Sequence, residues 1–441
     1  MANMAGPAPF QLTTSNAVIL VPGIGGSELR DPRTEKLVWG MHATTLAHGF
    51  LSGSVFSDLE RGDLEVGEVL QTRGFLSRFG RLDHYQPLTN ELRGLCDHPD
   101  AFATYPYDWR LPVAATAAGL AEFAHRHLQT WRNHPNNTRK SKARLCLVGH
   151  SMGGLLACRA ATGLPRDDVA LLITLGTPFK GSVRAAQAIA NGDIAPHGAF
   201  SNQIAELTRN IASVYDLLPS EPALTTDPDQ PKTAVAATDA DFAAIGGRQD
   251  LLSERTHFGP DETKGLSDRL VAIVGITQPT LQSFTVNHGE AAFFTHIDGQ
   301  DFAGDGTVSM PAAYPTGHTA VSNWPLQHGS MGNTSEAIAS VAATIQQRAL
   351  GAGQGQPVGL HTPDTVVAGD AVPITVRSNT PSVDLTIRDM TGRTNSTRVD
   401  LRNGHSYTTA ITLQRPGLYE ITANAGGASP ITCDILALEP T

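Results

Sequence analysis

Residues 143–154 read ARLCLVGHSMGG, and this stretch decides which fold the sequence predicts. The apolar run Leu145–Val148 is typical of a buried strand, and Leu155–Ala161 has the composition of a helix. Between them, residues 149–153 match G-x-S-x-G, a pattern that places serine at a sharp strand-to-helix turn. Such a turn strains the serine backbone and exposes its Oγ beside the amide of the next residue. The stretch therefore predicts Ser151 as a nucleophile, and the alternative is an ordinary glycine-rich turn.

The apolar run AVILVP at residues 17–22 leads into a second glycine cluster, GIGG at residues 23–26. Backbone amides in a glycine cluster after a buried strand are well placed to face a ligand. The cluster lacks the G-x-G-x-x-G pattern, which argues against dinucleotide binding. Where a G-x-S-x-G turn is used, one oxyanion-binding amide comes from an early loop and the other follows the serine. The amides of Ile24 and Met152 are therefore the predicted oxyanion hole, with a plain tight turn as the alternative.

Further apolar runs, at residues 169–178 and 269–276, alternate with segments of helical spacing. This alternation predicts an α/β protein with a mainly parallel sheet covered on both faces. From about 179 to 266 the pattern breaks into short helical pieces and proline-rich turns. That segment is too long for a connecting loop, so we expect an inserted cap. Residues 39–75 lack steady periodicity and are expected to form a lid or a surface loop, with Trp39 as a candidate substrate-binding lid residue.

An acid and a base for the serine are sought downstream, in the chain order nucleophile, acid, histidine. Asp305 lies in the turn GDGTV, and His328 lies in QHGSM just before an alanine-rich helix. A triad acid has to be buried beside the imidazole that it orients, and a glycine-flanked aspartate after a strand suits that role. We therefore predict Asp305 and His328 as acid and base. The competing residues are Asp298, Asp301, His318 and His361.

The end of the chain has a different pattern. Residues 351–358 are rich in glycine and glutamine and predict a linker. Beyond it, residues 359–441 show short alternating segments with turn signals, which predict a small all-β, immunoglobulin-like sandwich. The α/β-hydrolase domain would then occupy residues 1–350. Because every candidate catalytic residue precedes the linker, the sequence predicts that a chain cut near Gly353 still hydrolyses small soluble esters.

Composition limits the partners and the compartment. The 441 residues carry a net charge of −10 and only 17% charged side chains, so no nucleic-acid binding is expected. Four widely spaced cysteines favour buried thiols over a disulfide framework or a zinc site, and no metal or cofactor is expected. No signal-like segment and no apolar run of membrane-spanning length is present, which predicts a cytoplasmic protein, with non-classical secretion left open.

Seven motifs in this order resemble the lecithin:cholesterol acyltransferase family of α/β-hydrolases, over roughly the first 350 residues. Together they are more specific than the G-x-S-x-G turn alone. They are VPG at 21–23, PYDWR at 106–110, GHSMG at 149–153, LGTP at 175–178, SVYDLLP at 213–219, GDGTV at 304–308 and HG at 328–329.

The resemblance implies Ser151, Asp305 and His328 as a triad, the amides of Ile24 and Met152 as oxyanion hole, and a mobile lid near Trp39. It implies acyl transfer from a phospholipid or another acyl ester to a sterol, diacylglycerol or water. We therefore expect a serine acyl hydrolase or O-acyltransferase that acts on lipid acyl esters, in contact with a membrane surface where the substrate requires it. The alternatives are a carboxylesterase of soluble esters and an inactive hydrolase-fold binding protein. The sequence assigns no protein partner.

Overall fold

The computed structural model describes residues 13–40, 54–70, 85–192, 201–317, 320–347, 358–363, 365–378, 380–389, 393–401, 406–425 and 430–438. Much of the expected lid, His318 and the expected linker up to residue 357 lie outside these ranges. Among the helices within them, none has both the length and the apolar character needed to cross a membrane.

The core of the first part of the chain is a six-stranded sheet in which every neighbouring pair is parallel. Two adjacent inner strands, Leu145–His150 and Ala17–Val21, are buried at every residue, and since successive side chains of a strand point to opposite faces, both faces are covered there. This confirms the predicted fold class. In spatial order the strands are β11 (Val321–Trp324), β8 (Leu270–Gly275), β7 (Val169–Leu175), β6 (Leu145–His150), β1 (Ala17–Val21) and β5 (Phe102–Thr104).

Four longer helices cover the sheet through apolar faces. The second and third pack against each other. The buried positions of the second recur at the spacing of one helix face, whereas the third is buried at nearly every residue. The first and fourth pack together on the side of β7 and β8. These helices are α2 (Gln86–Leu95), α3 (Val113–Arg132), α4 (Met152–Thr162) and α12 (Ser335–Ile345).

Residues between β7 and β8 leave the sheet and return to it, since the two strands pair directly. The described part of this excursion contains short helices. We call residues 179–266 the cap segment, and its role as an inserted cap stays a prediction. Its helices are α5 (Val183–Asn191), α6 (Ser201–Arg209), α7 (Ala212–Asp216), α8 (Asp239–Ala244), α9 (Gln249–Glu254) and α10 (Pro260–Lys264).

Smaller elements extend the first part of the chain. A three-stranded antiparallel sheet follows β1, and a hairpin follows β8. They are β2 (Ser27–Arg30), β3 (Leu37–Trp39), β4 (Glu65–Val69), β9 (Ser283–Asn287) and β10 (Glu290–Phe294), with the helices α1 (Ser54–Leu59) and α11 (Met310–Ala313).

Residues 358–438, which we call the β domain, form two sheets whose inner faces share one apolar core separate from that of the α/β part. Alternating burial along β14 shows the expected period of two. One sheet contains β12 (Val358–His361), β14 (Ala371–Ser378) and β17 (Ser406–Thr412). The other contains β13 (Thr365–Val367), β19 (Ile431–Leu438), β18 (Gly417–Asn424), β15 (Ser382–Asp389) and β16 (Thr394–Asp400).

Candidate active site

Ser151 occupies the sharp turn between β6 and α4. Its backbone has φ 53° and ψ −126°, a strained conformation for a residue with a side chain. The turn is held because the Ser151 amide donates to the carbonyl of Leu175 at 2.8 Å. Two residues later the chain passes so close to β1 that a methyl group on Gly153 would overlap the carbonyl oxygen of Pro22. The glycines of the motif are therefore required by the close approach of helix and strand.

Three predicted residues meet at this turn. Nε2 of His328 lies 2.8 Å from Ser151 Oγ, and Nδ1 of His328 lies 2.7 Å from Asp305 Oδ2. All three side chains are buried, with exposed fractions of 6% for Ser151, 1% for Asp305 and 4% for His328. The geometry allows Nδ1–H to donate to the carboxylate while Nε2 accepts from the hydroxyl, which is the arrangement that a general base for the serine requires.

Asp305 is fixed by its own turn. Its Oδ1 accepts from the amides of Thr307 at 2.9 Å and Val308 at 2.7 Å, and its carbonyl accepts from the amide of His328 at 2.8 Å. The sequence pattern GDGTV thus supplies two amides that hold the carboxylate and leave Oδ2 for the imidazole. Acid and base loops are also joined directly through their backbones.

Gly176 is a residue whose importance the motif pattern alone does not explain. It ends β7 with φ 56°, and a methyl group on it would lie 2.8 Å from Asp305 Oδ2 and 3.0 Å from His328 Nδ1. Any larger residue would push the carboxylate and the imidazole apart. Gly176 lies in the LGTP motif, so the sequence marked the position, but only the structure shows why glycine is needed there.

The described competitors are engaged elsewhere. Asp298 accepts from the amides of Thr233 and Ala234 in the cap segment. Asp301 pairs with Arg377 of the β domain at 2.7 Å. His361 lies on β12 and is exposed.

The glycine cluster after β1 lies against Ser151, since a methyl group on Gly23 would be 3.0 Å from Ser151 Cβ. This places Ile24, the next residue, at the turn. Met152 is the first residue of α4, and first-turn amides have no acceptor within their own helix. Ile24 therefore follows a residue that contacts Ser151, and Met152 follows Ser151 directly; their role as oxyanion hole stays a prediction.

Trp39 lies in the core and not on a cover over the site. Its side chain is 1% exposed, its ring is 4.9 Å from that of Trp109, and its Nε1 donates to the carbonyl of Gly25 at 2.7 Å. Trp39 thus supports the glycine cluster through this hydrogen bond. Its burial differs from the exposed position that a substrate-binding lid residue would have. The residues that follow it, 41–53, lie outside the described ranges.

Comparisons with known proteins bear on the fold and the family of this chain. The model of the family described as lecithin:cholesterol acyltransferase (LCAT) matches residues 77–250. The structure of the Tle4-Tli4 complex covers 76% of this chain and 99% of the matched chain, with 15% identity and a TM-score of 0.50. The chain is LCAT-like over the matched residues, and its fold is that of an α/β-hydrolase. An uncharacterised protein of Saccharomyces cerevisiae, YJR098C, is 29% identical over 146 residues, which are 32% of this chain and only 20% of that relative.

The LCAT-like core contains a hydrogen-bonded relay that the sequence did not reveal. Tyr85 Oη lies 2.8 Å from Nδ1 of His150 and accepts from the amide of Gly23 at 2.9 Å. Nε2 of His150 lies 3.1 Å from the carbonyl oxygen of His328. The relay therefore joins the glycine cluster, the serine turn and the base loop. His150 is a variable position of the G-x-S-x-G motif. Its partner Tyr85 lies 65 residues away and belongs to no motif, so the sequence contained no sign of the pair.

His150 is held neutral by its surroundings. Burial lowers its pKa well below the usual range, and the neighbouring His328 lowers the pKa further. The ring centres of the two histidines are 5.0 Å apart. A neutral His150 adds no positive charge beside His328, so it does not oppose protonation of the base.

Tyr85→Phe tests the relay. The change removes the hydroxyl shared by Gly23 and His150, and leaving buried groups unpaired costs about 1–3 kcal/mol. We expect a lower melting temperature and a fall in kcat for a soluble ester of roughly tenfold, since about 1.4 kcal/mol corresponds to that factor.

Tyr215→Phe is the matched control, because the Tyr215 hydroxyl also makes two hydrogen bonds within the protein. It donates to the carbonyl of Arg209 at 2.8 Å and accepts from the amide of Arg248 at 3.0 Å. It should lower the melting temperature without the tenfold fall in kcat. Equal kinetic effects of the two substitutions would show that the relay has no special part in the site.

The described residues bring together one group of metal-ligand type, His98, Asp100 and His134, with ligand atoms within 4.8 Å of one another. Each ring nitrogen of the two histidines has a hydrogen-bonding or ion-pair partner, supplied by Asp100 or by Asn136. Both rings also stack on Trp131. Stacking and hydrogen bonds therefore account for the arrangement.

The cysteines of the LCAT-like chain match the expectation of thiols within the core. All four are buried and none forms a disulfide. Burial raises the pKa of the Cys96 thiol to about 12, which keeps it protonated and unreactive.

Proposed function

We propose that this protein is a serine acyl hydrolase or O-acyltransferase that works through an acyl-enzyme. The observation that carries the proposal is the hydrogen-bonded series Ser151–His328–Asp305 at the strained turn. The LCAT family match supports an acyl ester hydrolase or acyltransferase in general. A lipid acyl ester as substrate belongs to the proposal and rests on that match.

In the first half of the reaction, Ser151 Oγ attacks the ester carbonyl while Nε2 of His328 takes the hydroxyl proton. Asp305 keeps Nδ1–H oriented and stabilises the imidazolium. The amides of Ile24 and Met152 hold the oxyanion of the tetrahedral intermediate. Collapse breaks the bond to the alcohol, which leaves with the proton from His328, and the acyl group remains on Ser151.

In the second half, water or an acceptor alcohol attacks the carbonyl of the acyl-enzyme while His328 takes its proton. Collapse breaks the bond between Ser151 Oγ and the acyl group, and His328 returns the proton to Oγ. Water gives hydrolysis and an alcohol gives transfer. The choice depends on how well the closed site excludes water.

A fluorophosphonate probe and an ester panel test the proposal. We expect the probe to label the intact chain at Ser151, as located by peptide mapping. The panel compares short-chain soluble esters with phospholipid vesicles, each with and without an alcohol acceptor. Absence of labelling and of turnover would favour the inactive binding protein, whereas turnover of soluble esters alone would favour a carboxylesterase.

A further inference from the structure

The β domain contacts the α/β part through a buried amide. Gln278, just after β8, is 1% exposed. Its Nε2 donates to the carbonyl of Val358 at 3.1 Å, and its Oε1 accepts from the amide of Leu360 at 3.0 Å. The side chain therefore bonds to a carbonyl and an amide on one edge of β12, the first strand of the β domain, as a neighbouring strand would.

The backbone of Gln278 holds the loop of the acid. Its amide donates to the carbonyl of Gly304 at 2.9 Å, and the amide of Gly304 donates back at 3.1 Å. Nearby, the Thr280 hydroxyl donates to the Gln278 carbonyl and accepts from the amide of Gly306, both at 2.9 Å. The residues on either side of Asp305 are thus fixed by a segment that is itself fixed to the β domain.

A second connection ends beside the base. Gln327, which precedes His328, donates from Nε2 to Sγ of Cys433 on β19 at 3.1 Å. Sγ of Cys433 lies 3.6 Å from the carbonyl oxygen of Leu360. The amide of the same residue donates to Gln278 Oε1. The two connections therefore converge on β12, and together they join acid loop and base loop to one strand.

A third contact lies at the rim. Arg377 of β14 pairs with Asp301 at 2.7 Å, and Asp301 also accepts from the amide of Ala303, which precedes the acid loop. Both charged side chains are about one third exposed, so the pair contributes little energy by itself. Like the contacts of Gln278, this pair connects the β domain to the segment that precedes Asp305.

We propose that the β domain positions the acid and the base of the site, and that Gln278 is the positioning residue through which it acts. This proposal rests on the proposed function. An error of about 1 Å in the placement of catalytic groups can cost 100-fold in rate, so a domain that holds both loops affects turnover without touching substrate. The proposal reverses the expectation from sequence, because cutting near Gly353 would remove every partner of these contacts.

Gln278→Met in the full chain removes the amide and nearly keeps the volume. We expect kcat for a short-chain soluble ester to fall roughly 10- to 100-fold, with KM within about twofold. The rate of fluorophosphonate labelling at Ser151 should fall in parallel. The matched control is Asn137→Leu, since Asn137 is also buried and bonds to three backbone groups, next to the end of α3. It should lower the melting temperature and leave kcat unchanged.

Gly359→Ala provides a variant that leaves Gln278 in place. A methyl group there would lie 2.7 Å from the carbonyl oxygen of Thr277, so it should push the β domain away from the segment that holds the acid loop. Alanine itself is compatible with the strand conformation of β12. We expect kcat to fall roughly tenfold, and this variant decides the matter if Gln278→Met does not fold.

The outcomes separate the two proposals. An intact chain without turnover or labelling would contradict the proposed function. An active intact chain whose Gln278→Met and Gly359→Ala variants lose melting temperature but keep kcat would overturn the positioning role and leave the proposed function standing.

Discussion

Ser151→Ala should abolish turnover and leave the fold intact. Loss of the nucleophile from a serine triad costs on the order of a million-fold in kcat, because only substrate binding and the oxyanion hole still contribute. Alanine tolerates the strained backbone of the turn no worse than serine does, so the strand-to-helix connection should form. Turnover of the best ester in the panel and covalent labelling measure the loss, and circular dichroism with a melting curve measures the fold.

Ser340→Ala is the control for this substitution. Ser340 is buried in α12, and alanine has the higher helix propensity, so activity and melting temperature should both stay near those of the unchanged chain. Ester hydrolysis by Ser151→Ala at more than a few per cent of the original rate would show that the chemistry uses another group.

The strands of the central sheet were predictable because they are buried on both faces. A parallel strand in the middle of such a sheet is apolar at every position, and β1, β6 and β8 appear in the sequence as uninterrupted apolar runs. Strands at the periphery give no such signal. β16 reads TNSTRVD and is exposed at all but one residue, because it is the edge strand of its sheet, and no pattern distinguished it.

The site divides in the same way. Ser151, Asp305 and His328 were predictable because each lies in a short local motif that the sequence shows directly. Tyr85 and Gln278 were not, because their roles come from partners 65 and 80 or more residues away, and a single tyrosine or glutamine has no local pattern. The proposed positioning role of the β domain departs from the expected independence of the two domains for this reason. The sequence placed every chemical group before the linker but could not show which loops the β domain would contact.

His328→Ala should be nearly as damaging as the serine substitution, with a loss again on the order of a million-fold in kcat. Without an acceptor at Nε2 the Ser151 hydroxyl keeps its proton and is a weak nucleophile, so fluorophosphonate labelling should slow with turnover. The reason is local, since His328 is the residue that joins Ser151 Oγ to the carboxylate of Asp305.

Two other histidines make the test specific. His318→Ala replaces the competitor that lies outside the described residues, and His361→Ala replaces an exposed residue of β12. Both variants should keep kcat within about twofold. His361 is exposed, and surface substitutions away from a site change free energies by about 0.5 kcal/mol or less. For His318 the expectation comes from the sequence, in which it precedes the strand that the base is expected to follow. If His318→Ala were the severe variant and His328→Ala the mild one, the base would lie in the loop before β11. The hydrogen bond between His328 and Ser151 would then be incidental to the chemistry, whereas the predicted order makes His328 the group that takes the proton from Ser151.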